Sequence, residues 1–85
     1  MALQIHAPPR EIVARIEDAI RAALPGCEVV ASGAAGHFEI RVVSAAFAGK
    51  RTLEKQRLVY AAIAPLMQGD AAPVHAIDKL ETLTP

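Results

Sequence analysis

Pro73-Val74-His75-Ala76-Ile77 is the stretch on which the fold turns. Pro73 closes a loop of small and polar residues, Gln68 to Ala72. The residues after it alternate, with Val74 and Ala76 on one side and His75 and Ile77 on the other, which is the period of a β-strand. A strand from Val74 to about Leu80 is expected. A helical pattern precedes it, from about Thr52 to Ala64, and two valine- and isoleucine-rich runs precede that helix. A strand reached through a crossover helix runs parallel to the strand the helix left.

Working back, Phe38, Ile40 and Val42 alternate with Glu39, Arg41 and Val43, so His37 to Ser44 reads as a strand with one buried face. Cys27 to Ala31 is a second short strand, and Ser32-Gly33-Ala34-Ala35-Gly36 is the turn between the two. So short a link makes an antiparallel hairpin. Pro8-Pro9 opens a helix from Arg10 to Leu24, because proline suits the first helical turn. Its apolar stripe is Ile12, Val13, Ile16, Ala19, Ile20, Ala23 and Leu24, and Pro25-Gly26 stops it. Glu11/Arg15 and Glu17/Arg21 have ion-pair spacing on its polar side. In the second helix the expected inner stripe is Leu53, Gln56, Val59, Tyr60 and Ile63, continuing into Leu66 and Met67. Gln56 there needs a hydrogen-bond partner, and Pro65 should end or kink the helix.

The expected order is thus α-β-β-α-β, an α+β domain with two helices on one face of a three-stranded mixed sheet. The 85 residues allow one domain, with residues 1–7 as a loose lead-in. A chain this small buries only about 60% of the surface that its unfolded form exposes, so the core is thin. Aromatic residues make up only 4% of the sequence, and Ile, Val and Leu must therefore fill that core.

Formal net charge is zero, which argues against a dedicated nucleic-acid binder. The single cysteine, Cys27, excludes an internal disulfide and a cysteine-only metal site. No charged-then-apolar leader and no membrane-length apolar run occurs, and a cytoplasmic protein is the expectation. No nucleophile–base–acid grouping is apparent, so catalysis is not expected.

Histidine is where chemistry could reside. A lone strand histidine is more often packed or hydrogen-bonded than a ligand. Two features qualify that here: His37 and His75 each open a strand, and if those strands are parallel, both lie at one end of the sheet. Neutral imidazole binds iron and zinc well. Two histidines do not complete a structural zinc site, so the other ligands of any metal must come from another molecule. Asp78 would lie on the opposite face from His75 in a regular strand, a poor place from which to orient that ring. His6 lies in the lead-in and looks incidental. A separate basic group, Lys50, Arg51, Lys55 and Arg57, gathers where the second helix begins, and phosphate is attracted to such a terminus. Such a cluster is more often an ordinary solvated helix end than a nucleic-acid footprint. Gly33 to Gly36 spells G-x-x-G, but between strands rather than between the helices of an RNA-binding clamp.

Taken together, Ser32-Gly33, His37-Phe38-Glu39-Ile40, Val43-Ser44, Phe47-x-Gly49-x-x-x-Leu53, Lys55-Gln56-Arg57-Leu58-Val59-Tyr60, Val74-His75-Ala76 and Thr82-Leu83-Thr84-Pro85 resemble the BolA family. The resemblance implies a fold like a type II KH domain, α-β-β-α-(short α)-β, with the short helix placed near Pro65. It implies a monothiol glutaredoxin with glutathione as partner, and a [2Fe–2S] cluster shared between the two proteins, with His75 as this chain's ligand. No cluster is expected in the isolated chain, which would be a monomer or weak homodimer. An imidazole in place of a thiolate reduces negative charge at one iron, as in Rieske-type ligation. That suits a trafficking adaptor or an iron or redox sensor, with a place in stress response. Many relatives carry Cys or a second His in the turn of the hairpin; Ala34-Ala35 stand there, and His37 is the nearest substitute. One extra residue separates His75 from Thr82. Two alternatives stay open: a DNA- or RNA-binding transcriptional regulator using the basic helix start, and a metal-free protein–protein module.

Overall fold

The computed structural model describes residues 8–85; the expected lead-in over residues 1–7, with His6, lies outside them. Helix α1 spans Pro9–Ala23, β1 Glu28–Ala34, β2 His37–Val43, α2 Thr52–Met67 and β3 Ala76–Leu83. The sheet order is β1-β2-β3, with β1 antiparallel and β3 parallel to the central β2. This is the expected α+β arrangement.

Alternation in β2 sorts the two faces. Phe38, Ile40 and Val42 are buried, while His37, Glu39 and Arg41 are exposed. Helix α1 lays Ile12, Ile16 and Ile20 on the buried side, with Leu24 buried just past its end, and α2 adds Val59, Ile63 and Leu66. Each such side chain, fully buried, favours folding by about 1.5–3 kcal/mol over an exposed one. The opposite face is bare: Glu39 pairs in register with Lys79, and Arg41 with Glu81, setting opposite charges side by side.

Several local expectations shift. Strand β1 runs on through Ala34, so the turn is only Ala35-Gly36, with φ of 55° and 82°. Both residues are left-handed, as a two-residue type I′ hairpin requires. Helix α2 continues through Pro65, which lies in its last turn, and no short helix separates it from β3 among the described residues. The one short helix is a 3-10 turn at Ala45–Phe47, before α2. Ser44 caps it: the hydroxyl accepts from Ala46 N–H at 3.1 Å, which satisfies a buried polar side chain. Phe47 swings fully into the core.

The phase of α2 also differs. Leu53 is 57% and Tyr60 39% exposed, so the inner stripe is Val59, Ile63 and Leu66. Gln56 is half-buried and flanks this stripe, so its amide does not need a dedicated internal partner. On α1, Glu17 approaches Arg21 at 4.0 Å but is not merely part of a solvated face. Its other carboxylate oxygen accepts from Ala31 N–H on edge strand β1 at 3.0 Å, which blunts that edge. Arg21 also pairs with Asp18 at 3.3 Å, whereas Glu11 and Arg15 do not close their expected pair.

Candidate metal-binding end of the sheet

Parallel pairing brings the two histidines to one end. His37 is the first residue of β2 and is in register with Ala76, the first residue of β3. His75 is therefore the residue just before β3, not its second residue as expected. Val74 before it is 1% exposed, and its N–H donates to Leu66 O at 3.1 Å, so a core anchor ends the loop from α2. His75 itself is exposed, with its imidazole lying over Gly36. The Gly36 carbonyl accepts from His75 N–H at 2.8 Å and from Ala76 N–H at 3.0 Å, which ties the hairpin turn to the strand entrance.

Asp78 pairs with His37 rather than His75, in keeping with the expectation, but the strand is not regular. Pairing runs Phe38↔Ile77 and then Glu39↔Lys79, so Asp78 is the extra residue of a β-bulge. The bulge turns its carboxylate to His37, whose Nδ1 lies 3.2 Å from Asp78 Oδ1. Both side chains remain more than half exposed. No sequence period announces such a bulge; the one hint was the additional residue between His75 and Thr82.

Among the described residues, no three His, Cys, Asp or Glu side chains converge to hold a metal ion. Cys27 precedes β1, and the adjacent Glu28 pairs with Val43, which puts the thiol at the opposite end of the hairpin. The donor set at the histidine end is thus one or two accessible imidazoles. It fits a metal group whose remaining ligands belong to another molecule, and it does not fit a self-contained site.

The basic residues lie elsewhere. Helix α2 begins beyond the C-terminal end of β2 and returns toward the start of β3, so Lys50 and Arg51 stand at the end away from the histidines. Lys50, Arg51 and Arg57 are exposed and Lys55 is half-buried. A shallow open depression on the bare sheet face is lined by Val30, Glu39, Arg41 and Lys79 among others, and includes neither histidine. No helix among the described residues is long and apolar enough to cross a membrane.

Comparison with known proteins gives these positions a context. The sequence pattern of the BolA-like protein family matches residues 16–85. The chain is 36% identical over 63 residues to the "uncharacterized protein in rpoN-murA intergenic region" of Acinetobacter guillouiae, covering 74% of each. A BolA homologue from Coxiella burnetii superposes with a TM-score of 0.68 at 38% identity, over 82% of this chain and 86% of that one. A Bol-like protein from Babesia bovis gives 0.66 at 35% identity, over 86% and 84%.

Proposed function

The chain belongs to the BolA-like family, and from that footing we propose that it is an adaptor sharing a [2Fe–2S] cluster with a monothiol glutaredoxin and glutathione. His75 is the iron ligand this chain contributes, and His37 is its second candidate donor. One observation carries the reading: an exposed imidazole, backed by a glycine, lies at a strand entrance beside a second exposed imidazole. The partner's thiolates would supply the remaining ligands. When bound, the cluster supplies a transferable, redox-active iron–sulfur unit, and imidazole ligation raises its potential relative to all-thiolate ligation. The chain's own task is to present nitrogen donors in a fixed place, without a catalytic constellation of its own.

The test is to co-express the chain with a monothiol glutaredoxin and record visible absorption and circular dichroism of the heterodimer. His75→Ala should abolish or strongly alter the spectrum while leaving the fold intact, because the side chain is exposed. An unchanged heterodimer spectrum would overturn the assignment of His75 as ligand, whereas failure of any complex to acquire a chromophore would leave a metal-free interaction module. A second reading, DNA or RNA binding, draws on Lys50 and Arg51, exposed just ahead of the first turn of α2.

A further inference from the structure

The bulge in β3 keeps Ile77 and Leu80 both on the core side, opposite Phe38 and Ile40, and it also sets a carboxylate against one of the two candidate donors. Bulges are rare in parallel pairs, and where they occur they re-aim a side chain. Here the re-aimed side chain is Asp78, and its neighbour across the strands is His37. We infer that Asp78 is a positioning residue: it fixes the His37 ring with its proton on Nδ1 and its lone pair on Nε2, making His37 a second, preset nitrogen donor at the histidine end. This deepens the adaptor reading and rests on it.

A carboxylate can only accept a hydrogen bond, so the Nδ1 atom 3.2 Å from Asp78 Oδ1 must carry the proton. In the neutral ring the other nitrogen, Nε2, then holds the lone pair. A carboxylate on the far nitrogen is the common way in which proteins orient a metal-binding imidazole and raise its basicity. His75 is held differently, by the backbone of Gly36 on which its ring lies. The two donors are thus set by independent means, one by a carboxylate and one by a glycine carbonyl and its open Cα. The second nitrogen thus stands directly after the hairpin turn, with the orienting acid supplied from the next strand.

Two measurements test this. The first uses the isolated chain: ring-nitrogen NMR of His37 should show a single Nδ1–H tautomer when the imidazole is neutral. Asp78→Ala, and separately deletion of Asp78 to restore a regular strand, should both give a tautomer mixture, with the His75 ring unchanged. The second uses the heterodimer with cluster-loaded monothiol glutaredoxin and glutathione. Asp78→Ala should speed loss of the visible chromophore to a chelator by about tenfold or more. His37→Ala should do the same, and the double variant should be no faster than His37→Ala alone. A mixed tautomer in the native chain overturns the positioning role. Release unchanged in both single variants, with His75→Ala still disruptive, overturns the second donor and keeps the adaptor. If the native chain acquires no chromophore, the adaptor reading and the donor role fall together, and the ring signals still decide what Asp78 does to His37.

Discussion

Gly36 lies directly beneath the imidazole of His75: a Cβ added to Gly36 would stand 2.9 Å from His75 Cγ and 3.0 Å from Cδ2. Gly36 also has φ of 82°, a conformation that costs an L-residue about 1–2 kcal/mol. Gly36→Ala therefore strains the turn and displaces the ring at once. The expected loss is about 1–3 kcal/mol. In a domain of this size, that is a drop in melting temperature of roughly 4–24 °C. Thermal unfolding measures the strain, and the His75 ring resonances report the displacement. The same variant should weaken the heterodimer chromophore at temperatures where the fold is intact.

Ala35 is the reverse case. It has φ of 55° with no side chain suited to that region. Asn tolerates the left-handed region far better, and Asn-Gly is the favoured pair for a two-residue hairpin. Ala35→Asn should raise stability by up to about 1 kcal/mol. The melting point should rise by about 4–8 °C for each kcal/mol gained. A lower melting point would mean that the turn is held by something other than its backbone conformation.

The parts of this fold that were legible share a physical cause. In α1 and β2 the polar and apolar residues are cleanly separated, so Ile12, Ile16 and Ile20, or Phe38, Ile40 and Val42, declare both element and face. Helix α2 lacks that contrast: Leu53, Leu58, Val59, Tyr60 and Ile63 surround much of its circumference, and alanines fill the gaps. Its phase is set by packing against α1 and the sheet, and Leu53 and Tyr60 end up outside. Pro65 forfeits one helical hydrogen bond, but in the last turn, where the helix carries on only to Met67. The convergence of His37 and His75 followed from topology alone. The Asp78–His37 contact did not, because it depends on a one-residue change of register that alternation cannot encode.

Phe47 shows how much the thin core depends on single side chains. It is completely buried, although it belongs to a three-residue 3-10 turn rather than to a helix or strand with its own amphipathic pattern. Gly49, two residues on, has φ of 75° and open space around its Cα, so it serves the backbone path and not the packing. Phe47→Ala should cost about 3–5 kcal/mol. Small domains have total stabilities toward the lower end of about 5–15 kcal/mol. With only about 0–2 kcal/mol left, the variant should show a substantial unfolded fraction at 37 °C by far-ultraviolet circular dichroism. Urea titration of the native chain at the same temperature supplies the reference.

The basic start of α2 makes a separate numerical prediction. Lys50, Arg51, Lys55 and Arg57 provide four cations, opposed by Glu54, on a chain of zero formal net charge. If all four engaged duplex phosphates, log affinity would fall against log salt with a slope no steeper than about −3.6. A fourfold rise in salt would then weaken binding roughly a hundredfold. DNA retention by the free chain should accordingly be weak, independent of sequence, and reduced further by Lys50→Ala with Arg51→Ala. Those two substitutions lie at the end of the domain away from His37 and His75, so the heterodimer spectrum should not change. Tight, sequence-selective binding that survives physiological salt would reverse the ranking, making the helix start the working surface and the histidine end secondary.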